Sequence, residues 1–156
     1  MTTWLFTWNP TRWEWESLPR DARAVRAGRT CSEDYWTTGT TTSVREGDRF
    51  FLLKQGPRPR GIIGSGWVRS DSFADEHWDA ERAARGLRAN YVRIEFDCLL
   101  DPAKEQPFGG ADLQLGPLAG VNWSPYASGT RIPSEAAQFL ESAWRRYTAG
   151  LLALRK

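Results

Sequence analysis

The chain has 156 residues, a formal net charge of +2, nine tryptophans, two cysteines and a single histidine. That length predicts one domain, 1–156, able to bury a core without disulfides or metal, and the near-neutral charge excludes a general polycation, so any nucleic-acid footprint has to come from local clustering. Cys31 and Cys98 lie far apart with no CxxC spacing, His77 stands alone, and no basic leader or bilayer-length apolar run occurs, which excludes zinc ribbons, disulfide scaffolds and membrane spans and predicts a soluble, cytoplasmic protein with no cofactor.

Thr2 to Pro10 reads as a first strand ended by Asn9-Pro10, with Trp4, Phe6 and Trp8 on one face and Leu5 and Thr7 on the other. Trp4 and Phe6 fit a core. Trp8 abuts the strand end beside Asn9, where side chains reach pocket mouths. Thr11 and Glu14 have the spacing of a capping box, predicting a short helix that Pro19 breaks. Asp21 to Gly28 is then a further helical turn or a mobile arginine-rich loop. Cys31 to Glu46 holds Asp34-Tyr35-Trp36 followed by a hydroxyl-rich tract, either a wall for a polar aromatic ligand or a strand end with a solvated loop.

Glu46 to Val68 reads as two strands, Arg49 to Lys54 and Ile62 to Val68, joined by Gln55-Gly-Pro-Arg-Pro-Arg-Gly61. Alternation with Pro57 and Pro59 holds Arg58 and Arg60 on a pre-extended loop suited to a phosphate backbone. Gly61, Gly64 and Gly66 predict a bulge or a close approach to the strand, for which a flat ligand is one candidate. Ala74 to Ala89 reads as a helix or helical turn ended by Gly86. Asn90 to Leu100 alternates, with Tyr91, Arg93, Glu95 and Asp97 on one face and Val92, Ile94, Phe96 and Cys98 on the other. Asp101 to Gly120 is a long irregular connection, Val121 to Pro133 adds a tryptophan beside a proline-limited turn, and Ser134 to Leu154 is a helix capped by Ser134 that covers the sheet.

The residues favour binding over catalysis. One histidine cannot build a histidine-dependent nuclease, Glu95, Asp97, Asp101 and Lys104 only faintly echo a metal-dependent nuclease, and the phosphate-cradling glycine motif of nucleotide hydrolases is missing. The abundance of arginine over lysine has two readings, forked phosphate contacts or a GC-rich genome. Nine tryptophans exceed what a small core needs, and their faces suit stacking on a base or caging a methylated group.

Trp4-Leu-Phe-Thr-Trp-Asn-Pro10, Gly47-Asp48-Arg49, Phe51 to Gly66, Tyr91 to Asp97 and Asn122-Trp-Ser-Pro-Tyr-Ala-Ser-Gly129 together resemble an EVE domain, a member of the PUA superfamily related to the YTH and SRA modules. The resemblance covers nearly the whole chain. It implies an α+β fold, a PUA-like, strongly curved β-barrel with flanking helices, and a pocket for one modified nucleobase flipped out of its strand. It further implies a reader of duplex DNA carrying 5-methylcytosine or 5-hydroxymethylcytosine, the recognition module of a modification-dependent restriction system whose HNH nuclease is fused or separate. A YTH-like reader of a modified base in RNA, or a PUA-like interaction module without nucleic acid, are the alternatives. On this resemblance Trp8 and Trp36 become pocket walls, with Trp123 nearby. Asn9 and Gln55 present donor and acceptor to a base edge, and Ser124 and Ser128 stand on the opposite rim. Arg12, Lys54, Arg58 and Arg60 grip the phosphates, with Arg58 and Arg60 also available to fill the gap left by the base.

Overall fold

The apolar run Arg49–Lys54 becomes β3, a strand buried along its whole length because both of its faces are covered. The structure, a computed structural model, describes residues 1–154. Alternation sends Phe50 to one side, where it stacks on Phe6 at 5.1 Å between ring centres and meets Phe96 edge-on at 5.3 Å. Phe51 faces the other way and meets Trp144 at 6.4 Å.

Around β3 a seven-stranded mixed sheet assembles. Its strands are β1 (Thr3–Trp8), β2 (Tyr35–Gly39), β3, β4 (Gly61–Val68), β5 (Phe73–Glu76), β6 (Arg88–Leu99) and β7 (Thr130–Ile132). The order is β2-β6-β4-β3-β1-β7, with β5 paired to β6, and β1 runs parallel to β3 while the other pairings are antiparallel. Helix α1 (Leu18–Arg26) follows β1, α2 (Ala80–Ala84) lies between β5 and β6, and α3 (Ser134–Leu154) closes the described chain.

The sheet curls until its two ends meet. Gly129 donates to the Leu5 carbonyl at 3.0 Å, and a Cβ on Gly129 would lie 2.2 Å from the Thr38 carbonyl of β2. Only a glycine with φ of +92° lets the 127–129 segment sit in that seam between β1 and β2. The result is an α+β fold with a curled, half-barrel mixed sheet. Phe6, Phe50 and Phe96 fill the inside of the curl, and α3 covers its outer face.

Arg49 ties α3 to that outer face. Its guanidinium reaches Glu141 on α3 at 2.6 Å, Asp97 on β6 at 2.8 Å and the Gly66 carbonyl at 3.0 Å, and it lies over the ring of Trp67. Ser65 donates to Asp97 at 2.6 Å and accepts the Trp144 indole N–H at 2.9 Å. The buried guanidinium is thereby paired and hydrogen-bonded, the condition under which burial is tolerated.

Several sequence expectations are corrected. Pro19 sits in the first turn of α1, where a missing N–H costs nothing, instead of ending a helix from Thr11. Within Ala74 to Ala89 the helical turn is present, Ala80–Ala84, capped by Asp79 and followed by Gly86 at a φ of +77°, but it is flanked by a strand and the start of β6, so the span is not one helix. The connection 101–120 contains two 3₁₀ segments, Gly110–Gln114 and Gly116–Gly120. Pro133 offers the first helical carbonyl of α3, to Ala137, so it occupies the cap position expected of Ser134. The bulges expected at the β4 glycines are present, as register shifts against β3 at Leu52/Leu53 and against β6 at Ser65/Gly66, and the flat groups approaching Gly64 and Gly66 are the protein's own rings, Phe96 and Phe50, while the Phe108 carbonyl fills the space over Gly61.

Candidate functional site

The corner at Asn9-Pro10 joins three loops. Asn9 Oδ1 accepts from the backbone N–H and the hydroxyl of Thr11, a local turn that ends β1 and launches the 10–16 segment. The β3–β4 turn lies against this corner. Gln55 N–H donates to the Trp8 carbonyl at 2.8 Å, and a Cβ on Gly56 would collide with Asn9 Oδ1. Through its side chain Gln55 also donates to the Pro125 carbonyl at 2.9 Å, which fastens the 122–129 loop to the same place. Ser128 completes the attachment by accepting from Thr7 N–H at 3.2 Å.

Inside the curl, next to this corner, four tryptophans interlock. Trp15 lies 5.6 Å from Trp8 and 5.4 Å from Trp36, and Trp13 lies 5.8 Å from Trp15 and 5.6 Å from Trp36. Three of the four indole N–H groups are spent on structure. Trp8 donates to the Trp13 carbonyl, Trp36 to the Thr7 carbonyl and Trp15 to Asp21. Trp13, half-buried, is the exception: its N–H has no hydrogen-bond partner among the described residues. An open depression of about 550 Å³, lined by Trp8, Pro10, Thr11, Arg12, Trp13, Glu14 and Trp15, opens onto solvent here.

Asp21 on α1 holds the tryptophan loop in place. Burial alone would raise its pKa, but hydrogen bonds from Ser17, Ser32 and Trp15 lower it, so it is a carboxylate at neutral pH. This anchor, and the pair Trp13 and Trp15, escaped the sequence reading. The signal was present in Trp13-Glu14-Trp15, followed by a lone acidic residue in an arginine-rich stretch.

The other expected site residues divide. Trp8 and Trp36 are only 7% and 6% exposed, and Trp36 packs against Trp13 and Trp15 while stapling the seam, so its ring is no solvent-facing wall. Trp8 lines the depression at its edge. Asn9 and Gln55 sit at the corner, each with its amide partly committed to the fold. Ser128 is buried in the seam, Ser124 is exposed, and Trp123 pins the two 3₁₀ segments by donating to the Leu113 and Leu118 carbonyls. Arg12, Arg58 and Arg60 are exposed, with Arg60 Nε folded onto the Gly56 carbonyl. Lys54 is a correction. It is buried, donates to the Pro57 and Pro59 carbonyls at 2.7 and 2.8 Å, and shapes the turn from inside instead of facing a phosphate.

Groups with nucleophilic potential are occupied elsewhere. Burial pushes the Cys31 and Cys98 thiols up to about 12, which keeps them protonated at neutral pH. Asp97 belongs to the Arg49 network, Glu95 pairs with Arg69, and Asp101 organises the turn to Glu105. His77 accepts the Asp79 N–H and stacks on Trp78. Among the described residues, no helix is long and apolar enough to cross a membrane.

No protein-family model and no curated protein matches the chain. Solved structures do resemble it. The NMR structure of Rpa0253 from Rhodopseudomonas palustris is 17% identical, with a TM-score of 0.57 over 92% of each chain. The crystal structure of PSPTO5229 from Pseudomonas syringae is also 17% identical, with a TM-score of 0.55 over 99% of each chain. A protein from Pseudomonas putida is 15% identical, with a TM-score of 0.54 over 90% of this chain and 98% of its own. At these identities the likeness concerns the fold alone.

Proposed function

We propose that the chain is a PUA-like domain of the EVE type that binds nucleic acid and accepts one modified base, extruded from duplex DNA, in the depression at the Asn9-Pro10 corner. The preferred base is 5-methylcytosine or 5-hydroxymethylcytosine, and the domain serves as the recognition part of a restriction system in which an HNH nuclease, fused or separate, makes the cut. The observation that carries this reading is Trp13, an indole with a spare N–H, standing in an open depression beside exposed Arg12 and the Arg58–Arg60 turn.

The energies are compatible. Extruding a base costs a few kcal/mol, and one stacked aromatic returns about 1–3 kcal/mol, so Trp13 with the edge of Trp8 and the amides of Asn9 and Gln55 meets most of that cost. Arginines contribute a salt-dependent term that is blind to sequence.

The test is a binding titration at matched salt with duplexes that differ only in one 5-methyl- or 5-hydroxymethylcytosine. The modified duplex should bind more tightly, and Trp13→Ala should remove the preference while leaving the background. Equal affinity of the wild-type protein for modified and plain duplex would defeat the proposal, and RNA oligonucleotides winning in competition would redirect it to RNA.

A further inference from the structure

We infer that Tyr126 is the side chain that enters the duplex and occupies the place vacated by the extruded base; the inference rests on the base-binding reading above. Tyr126 is fully exposed, and its ring and hydroxyl touch no partner among the described residues. Its backbone, by contrast, is held on both sides. Pro125 is buried and receives the Gln55 amide, and Ser128 is buried and receives Thr7 N–H. A large aromatic ring on solvent, carried by a loop pinned at two points, offers a held flat face to a partner with flat faces.

The two pins decide where the ring stands. Thr7 immediately precedes Trp8, which lines the depression, and Gln55 opens the turn that carries Arg58 and Arg60. The loop that carries the exposed phenol is therefore fastened to the same corner as the candidate base slot and its guanidinium groups. Extrusion leaves a hole in the base stack, and proteins that unstack a duplex insert apolar or aromatic wedges into it. Tyrosine suits the task because it offers a flat face and loses only two side-chain torsions on insertion. Arg60 is less suited, since its Nε is already folded onto the Gly56 carbonyl.

Two duplexes of one sequence distinguish this role from general affinity. Both carry a single 5-methylcytosine; in one it is paired with guanine, in the other it faces an abasic site, so that little stacking has to be replaced. Tyr126→Ala should weaken binding to the paired duplex by about tenfold or more, the loss of one stacked ring. On the abasic-opposed duplex its affinity should stay within about twofold of wild type, and Tyr126→Phe should bind both duplexes as wild type does. Unchanged binding by Tyr126→Ala, or equal losses on the two duplexes, overturns the assignment. If the wild-type protein itself ignores the methyl group, the parent reading falls and this one with it. If wild type discriminates and Tyr126→Ala binds the paired duplex as tightly as wild type does, only the wedge is refuted.

Discussion

The outer face of the sheet and the inside of its curl are both rich in tryptophan, yet they end differently. Beneath α3, Trp144 donates to Ser65, Ser65 to Asp97, and Asp97 and Glu141 both hold Arg49, so the set is closed and every polar group has a partner. Inside the curl Trp8, Trp15 and Trp36 are bolted in the same manner, but Trp13 is left with an unused N–H beside an open depression. The same residue type thus serves as a brace wherever its N–H is satisfied. Trp67 and Trp78 also lack a partner for the N–H among the described residues, but Trp67 is covered by the Arg49 guanidinium and Trp78 lies against His77; Trp13 alone of the three borders the depression and is a candidate contact for something outside the chain.

This contrast can be broken or sharpened by mutation. Arg49→Ala should have the largest effect, a loss of about 2–4 kcal/mol in denaturant unfolding, because the Gly66 carbonyl loses a charged donor and the side chain no longer covers Phe51 and Trp67, while the part-exposed Asp97 and Glu141 turn to water. Trp36→Phe keeps an aromatic ring but leaves the Thr7 carbonyl without its donor, and should cost about 1–3 kcal/mol by the same measurement. Trp13→Ala should disturb stability less than Trp36→Phe while abolishing the preference for a modified base. A greater loss of stability at Trp13 than at Trp36 would mean that the contrast is misdrawn.

Acid should act on the inside of the curl first. Asp21 has a lowered pKa in the fold and an ordinary value of 3.8 when unfolded, so its carboxylate contributes stability above that pH, and the contribution disappears as pH falls through the folded value. Tryptophan emission should report loosening of the Trp15 loop below about pH 3.8, and Asp21→Asn should abolish the pH dependence. The smallest expected effect is at Arg58: replacement by Ala should leave stability unchanged and reduce the salt slope of nucleic-acid binding by about one.

Long or strongly patterned segments were legible in the sequence. β1, the β3–β4 pair, the alternation of Val92, Ile94 and Phe96 against Arg93, Glu95 and Asp97, and the span of α3 all follow from periodicity and breakers. β5 was not, because Phe73-Ala-Asp-Glu76 has no strand pattern of its own and exists through pairing with Arg88–Tyr91 of β6. β7 is three residues long and is specified by β1. At the site, the Asn9 corner and the exposed arginines were legible because proline and glycine punctuate them. Lys54 was misread because its charge suggested solvent, whereas the turn's own carbonyls needed a donor from below. Trp36 was misread because polar neighbours in sequence do not reveal the seam that it closes.

The position of β1 carries a consequence for how the chain is made. Thr3–Trp8 lies between β3 and β7, so this segment acquires its second neighbour only after Thr130–Ile132, more than a hundred residues later, has been synthesised. Such distant pairing slows folding, because the loop entropy is spent before the contact forms. Until then the Leu5 carbonyl and Thr7 N–H remain an uncapped edge, and a nascent chain halted before Ser128 should expose that edge to proteases or chaperones.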